Sequence, residues 1–277
     1  MIHQMIHHMT SPERATRLLC QAALGGLCIS WLSPAAAEWE LAFAVEDFSY
    51  EEPSLMKEEG TLYGGRVRWH SVNEQGFSLE LQTTLLGGEL DYDGYTWGGE
   101  PVQTDTDDVV WQGAVLAGYA FASRDLIAYS GLGGRYWRQE LKGVGGYERE
   151  IEWLYVPLGL DWQGSFVNNR WSWSARAEGR WLITGEVTSH LSDVSRAFSD
   201  VENDVDDGYG YELSLSLRYR LEPSSVVEAL VITPYYQYWD VDRSDLQPLR
   251  AWGVPVAEVY EPDNETEILG IRLGLSF

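Results

Sequence analysis

Tyr209-Gly210-Tyr211-Glu212-Leu213-Ser214-Leu215-Ser216-Leu217-Arg218-Tyr219-Arg220-Leu221 is apolar at every odd position and small, polar or charged at every even one. Successive side chains of a β-strand point to opposite faces. The alternation therefore predicts a strand with one continuous apolar face and one polar face. The same rhythm recurs on either side of this stretch. Trp171, Trp173, Ala175, Ala177 and Trp181 alternate with Ser172, Ser174, Arg176, Glu178 and Arg180. Phe77, Leu79, Leu81 and Leu85 alternate with Ser78, Glu80, Gln82 and Thr84, and Trp39, Leu41, Phe43 and Val45 with Glu38, Glu40, Ala42 and Ala44.

Ten such segments lie near 38–47, 62–72, 76–86, 109–122, 125–138, 150–163, 171–185, 209–222, 227–240 and 266–277. The links near 73–75, 123–124, 164–170 and 223–226 are short; those near 48–61, 87–108, 139–149, 186–208 and 241–265 are long. Short periplasmic turns alternating with longer external loops, and aromatic residues gathered at strand ends, are the pattern of a transmembrane barrel. Backbone groups left unpaired in lipid cost several kcal/mol each, so strands cross a membrane only as a closed sheet. The expected fold is all-β, an antiparallel up-and-down transmembrane β-barrel of about ten strands, with eight and twelve left open. An even number puts both termini in the periplasm. Gly64-Gly65, Gly133-Gly134, Gly270 and Gly274 are expected to relieve crowding where the sheet curves.

The N-terminus reads as an export leader. Arg14 and Arg17 form a basic start, Leu18 to Leu32 an apolar run, Pro34 a break and Ala35-Ala36-Ala37 a small-residue cleavage site. The expected division is a signal peptide at 1–37, with Met9 as an alternative start, and a barrel at 38–277. Both cysteines, Cys20 and Cys28, fall in the leader and neither sits in a lipobox. The net charge of −24 disfavours nucleic-acid phosphates.

Even-phase residues point into the lumen. Arg66, Arg68, Glu80, Arg176, Glu178, Arg180, Glu212, Arg218, Arg220 and Arg272 are expected to pair across it, as a polar plug or the lining of a narrow channel. A barrel this narrow leaves about the room its side chains fill. The long links carry most of the negative charge. Asp91, Asp93, Asp105, Asp107 and Asp108 form one group and Asp204, Asp206 and Asp207 another, candidates for Ca²⁺ or Mg²⁺. Neither completes a calcium-loop pattern, and no zinc, phosphate-loop or nucleotide fingerprint stands in the sequence. No cofactor is expected.

The C-terminus, Leu269, Ile271, Leu273, Leu275 and Phe277 at every second position, resembles the last strand of outer-membrane barrel proteins. That resemblance implies that Leu273, Leu275 and Phe277 signal to the barrel-assembly machinery. Tyr50-Glu51-Glu52-Pro53, Met56-Lys57-Glu58-Glu59-Gly60 and Tyr63-Gly64-Gly65, with Gly146-Tyr147-Glu148-Arg149-Glu150 leading into Tyr155-Val156-Pro157-Leu158-Gly159-Leu160, resemble small outer-membrane barrel proteins of proteobacteria. The implied location is the cell outer membrane, with its lipid and lipopolysaccharide as partners.

Barrel enzymes are the remaining class to weigh. The chain is omptin-sized, and omptin proteases set an Asp pair against an Asp-His pair, yet no Asp-x-His occurs here. Past the leader only His70 and His190 remain. His190, with Ser189 and Ser192 beside it, is the single candidate for a rim hydrolase, and a general base needs a positioned partner. The function expected from the sequence is therefore non-enzymatic: an outer-membrane barrel with a plugged lumen, serving envelope integrity or surface interaction, with a narrow porin-like channel as the alternative.

Overall fold

The computed structural model describes residues 36–96, 99–121, 125–143, 145–166, 170–222 and 226–277. The leader lies outside the described residues up to position 35. Among the described residues the strands are β1 (Ala36–Glu52), β2 (Met56–Val72), β3 (Phe77–Tyr95), β4 (Pro101–Ala120), β5 (Leu126–Leu141), β6 (Glu148–Ser165), β7 (Trp171–Ser189), β8 (Val201–Val205), β9 (Gly208–Arg220), β10 (Ala229–Val241), β11 (Gln247–Ala251), β12 (Val254–Val259) and β13 (Asn264–Ser276).

All but β8, β11 and β12 close into one antiparallel barrel of ten strands. Each pairs with its neighbour along the chain from β1 to β7, followed by β9, β10 and β13. β13 returns to β1 with Leu41 opposite Leu275 and Phe43 opposite Leu273. Phe277 and Trp39 exchange both backbone hydrogen bonds, which ties the chain end to the first strand. With the first and last strands joined, the barrel has no free edge.

The apolar face of each strand points outward and, among the described residues, nothing covers it: Phe43, Leu85, Leu158 and Leu269 are 53%, 55%, 55% and 62% exposed. Aromatic residues bound this band. Phe77 opposite Tyr119 and Trp171 opposite Tyr219 lie at the end carrying the termini. Trp111 opposite Tyr136, Trp181 opposite Tyr209 and Tyr211 opposite Tyr238 lie toward the far end. Eight residue steps run from Tyr211 to Tyr219, about 27 Å along the strand at about 3.4 Å each. A strand tilted about 40° brings that to about 20 Å, close to the roughly 25 Å apolar band of such barrels.

The wall rises well past this band. Three of the links expected as long loops, near 48–61, 87–108 and 139–149, are largely paired strand: β1 and β2 are joined through 53–55, β3 and β4 through 96–100, and β5 and β6 through 142–147. The acidic residues there keep period two, with Glu89, Asp91 and Asp93 outward and Leu90 and Tyr92 inward. Charge alone suggests loop, but a strand standing in water carries carboxylates on its outer face without cost. The remaining two links are long and structured. One contains β8, which extends the sheet beside β7, and the other the hairpin β11–β12.

Candidate functional site

The lumen holds two layers of different chemistry. In the half nearer the termini, inward residues of β1, β2, β3, β5, β7, β9, β10 and β13 form one chain of contacts. Arg68 Nη2 lies 2.6 Å and Arg176 Nη1 2.8 Å from the two oxygens of Glu80. Arg176 Nε donates to the Tyr129 hydroxyl (2.6 Å), which donates to Glu178 (2.9 Å). Arg180 bridges Glu178 (2.7 Å) and Glu212 (2.6 Å), and Glu212 continues to Arg272 (3.1 Å). The Arg272 guanidinium stacks 3.7 Å from the centre of the Tyr235 ring, whose hydroxyl donates to Glu46. Arg66 donates to Gln82 beside this chain. Arg218 stands nearer the termini, on Glu38, Glu40 (3.7 Å) and Ser276 (2.9 Å). Arg220 stands apart, exposed at the end of β9. Buried charge is tolerated only when paired and hydrogen-bonded. Glu80 and Glu212, each between two guanidinium groups, satisfy that condition.

Above this layer the lumen is an apolar core, which a reading of the charges alone misses. Phe48, Tyr50, Leu62, Leu90, Trp137, Tyr155 and Trp239 are essentially fully buried inside the barrel. Trp137 meets Phe48 and Tyr50 edge-on at 5.3 and 4.9 Å, and Trp239 meets Tyr155 edge-on at 5.1 Å. Inward glycines seat these rings. A Cβ on Gly133 would lie 2.3 Å from the Tyr155 ring, and one on Gly270 2.2 Å from that of Tyr235. Arg135 enters the core from below, its guanidinium 4.9 Å from the Trp153 ring and its N–H groups without acceptors among the described residues. Beside it lies a cavity of about 20 Å³, lined also by Gln112, Gln237 and Arg272, room for about one water.

A cap closes the far mouth. The segment 242–263 carries Glu261 down onto Arg149, which also holds Glu52 at 3.0 Å. Tyr50 donates to both carboxylates, at 3.0 Å to Glu52 and 3.4 Å to Glu261. Two buried carboxylates thus share one guanidinium. Burial is the main cause that pushes the Glu261 carboxyl up, to about 7, against the pull of Arg149. Leu191, Val201 and Leu249 form a small core that joins the hairpin β11–β12 to β8.

On the outside of the same rim, Glu148 and Glu150 share the outward face of β6. The register that sets Ser189 opposite Arg149 brings His190 beside them. The His190 backbone N–H donates to the Glu148 carbonyl at 2.9 Å. Its Nε2 lies 3.2 Å from Glu150 and 4.0 Å from Glu148, and its Nδ1 3.4 Å from Asp200. Burial lowers the affinity of this imidazole for a proton, but the hydrogen bond to Glu150 and the charges of Asp200 and Glu150 outweigh it and hold the group above its ordinary range. Both ring nitrogens face carboxylates. Ser192 contributes its backbone N–H to Asp200 at 3.0 Å, and His70 lies on β2 near the end that carries the termini.

The aspartates expected as divalent-cation ligands do not gather. Asp91 and Asp105 are opposite each other on β3 and β4, Asp93 takes a hydrogen bond from Gln103 (3.1 Å), and Asp107 pairs with Lys142 (2.8 Å). Asp108 points the other way, into the lumen, onto Thr106 and Trp137 at 2.6 Å each. Asp204 is on β8, and Asp206 and Asp207 follow in the turn to β9. Among the described residues, the three ligand atoms that converge within 4.8 Å belong instead to Glu148, Glu150 and His190. Sequence spacing shows only the Glu-x-Glu half of that group, because His190 is forty residues away.

No family model and no curated protein matches this sequence. Among solved structures it is similar to the translocator domain of the autotransporter NalP from Neisseria meningitidis, at 12% identity over 96% of this chain and 98% of that one, with a TM-score of 0.42. It is also similar to Ail, the attachment invasion locus protein of Yersinia pestis, at 9% identity over 87% and 99% of the two chains, with a TM-score of 0.37. Neisserial surface protein A (NspA) is 10% identical over 87% and 99%, with a TM-score of 0.34.

Proposed function

We propose that this chain is a closed, non-conducting barrel of the bacterial outer membrane whose far end serves envelope integrity or surface interaction. The carrying observation is the double filling of the lumen: a continuous ion-paired layer, an aromatic core above it and the Arg149 cap on top. The uncovered outward band between two sets of aromatic residues supports a lipid surrounding. The short-turn end, with both termini, faces the periplasm in this reading. The acidic far end then stands at the level of lipopolysaccharide, where Ca²⁺ or Mg²⁺ bridges carboxylates to lipid phosphates. Leu273 and Leu275 face outward beside β1, and with Phe277 they are the residues that the assembly machinery would read.

Two features bear on an enzyme at the rim. His190 has no free nitrogen for a serine, and Ser189 belongs to the inward phase of β7 opposite Arg149.

Single-channel recording of the refolded chain in a planar bilayer tests the reading. Silence with insertion confirmed is expected, and silence should persist in Arg149→Met, because the aromatic layer seals the lumen without the cap. Reproducible, ion-selective steps from the unaltered chain would overturn it and favour a narrow channel past Arg176 and Arg180.

A further inference from the structure

We propose that Glu148, Glu150 and His190 form a binding site for a divalent transition-metal ion, Zn²⁺ by its ligand chemistry, on the outer rim of the barrel. Three protein ligands converge, and each has its other polar atom held by a neighbour. The Nε2 of His190, Oε2 of Glu150 and Oε1 of Glu148 face one another. Behind them, Asp200 holds His190 Nδ1 at 3.4 Å, Tyr136 donates to Glu150 Oε1 at 2.6 Å, and Arg138 lies 3.9 Å from Glu148 Oε2. This is the outer-sphere arrangement of a metal site: a carboxylate fixes the imidazole tautomer and aims the other nitrogen, while a hydrogen bond orients Glu150 and the Arg138 charge draws on Glu148.

The spacing fits as well. Bonds of about 2.0–2.1 Å in tetrahedral geometry put neighbouring ligand atoms about 3.3 Å apart. The observed 3.2 and 4.0 Å bracket that value, so a small rotation of Glu148 completes the set. An imidazole nitrogen beside two carboxylates suits zinc and its neighbours in the first transition row better than Ca²⁺ or Mg²⁺, which take oxygen ligands. Three protein ligands leave a fourth position for water or for an atom of a partner molecule. The group is half-buried, so an ion reaches it from solvent.

The location gives the ion a structural consequence. Arg149, between the two glutamates, points inward to the cap, while His190 opens the segment that runs through Leu191 to Asp200 and β8. An ion here ties β6 to that segment on the outer face, opposite the Arg149 ties on the inner face.

Zn²⁺ titration by calorimetry tests the proposal, using the full chain refolded in detergent with His3, His7 and His8 changed to Ala. Millimolar Ca²⁺ is present throughout to saturate the acidic surface. One saturable site per chain is expected, with affinity falling at least ten-fold in His190→Ala. Asp200→Asn, which leaves all three ligands in place, is expected to fall about ten-fold. Co²⁺ in place of Zn²⁺ should give a visible absorption band that His190→Ala abolishes. No saturable Zn²⁺ binding, binding unchanged in both variants, or displacement by Ca²⁺ would overturn the site. Bilayer recordings need no metal and this titration needs no bilayer, so the two readings fail separately.

Discussion

The two halves of the lumen invert each other. In the half nearer the termini the wall is apolar outside and ionic inside, with Leu213 and Ile271 outward at the level where Glu212 and Arg272 meet. In the far half it is acidic outside and apolar inside, with Asp47, Ser49 and Glu51 outward where Phe48 and Tyr50 are buried. One strand, β1, crosses from one regime to the other without losing phase. The medium outside decides which face is apolar. Burial of apolar surface is driven by its removal from water. Where the wall meets water, the rings go inside; where it meets a lipid-like medium, outward leucines cost nothing and the polar residues go inward.

That comparison sets the first and largest expected effect. Arg180 is 1% exposed and serves two carboxylates. Arg180→Ala leaves Glu178 and Glu212 short of a partner and should cost about 5 kcal/mol, the upper end for breaking a buried pair. Adding Glu212→Gln should restore part of that loss, because the two sites share one network. Denaturant unfolding in detergent measures both, and a double variant that is simply additive would break the account of a coupled ionic layer.

The aromatic half should behave differently. Phe48→Ala removes a fully buried ring and should cost about 3–5 kcal/mol. Combined with Arg180→Ala it should be additive within about 0.5 kcal/mol if the layers are independent, Arg135 over the Phe48 ring and the Arg180 stack on Tyr155 and Trp239 being the contacts through which coupling would pass. Strong coupling between them, read from the same unfolding curves, would mean that the lumen is one layer and not two.

How much of this was legible follows from which signals are local. The outward stripe from Tyr209 to Leu221, and its counterparts in most of the ten barrel strands, are readable because period two needs only neighbours in sequence, while the fourth, fifth and ninth segments alternate less cleanly and leave the strand count open. The aromatic core was legible in principle: continuing the inward phase of Glu40, Ala42 and Ala44 leads through Glu46 to Phe48 and Tyr50. It is hidden because Trp and Tyr at strand ends equally fit the membrane interface and acidic stretches equally fit loops. The rim group was not legible. Glu148 and Glu150 meet His190 only through the register between β6 and β7, which shifts at Leu154/Tyr155. A bulge of that kind moves every later pairing by one residue, and nothing local announces it.

The smallest effect sharpens the comparison at the top of the far half, where charge re-enters the apolar core. Glu261 shares Arg149 with Glu52, and burial pushes its carboxyl up to about 7 from an ordinary 4.5. A carboxyl that binds its proton more tightly when folded contributes stability that is complete below pH 4.5 and lost as pH rises through about 7. The cap should therefore be held more firmly at pH 5 than at pH 8. Glu261→Gln fixes the neutral form, so its melting temperature should match the unaltered chain near pH 5 and exceed it near pH 8. A gain of about 1 kcal/mol corresponds to roughly 2–4 °C for a chain of this size. Parallel melts of the two proteins across that range decide the matter. A constant offset between them at every pH would mean that Glu261 stays ionised on Arg149, and the far mouth would then be closed by charge, as the lower half is.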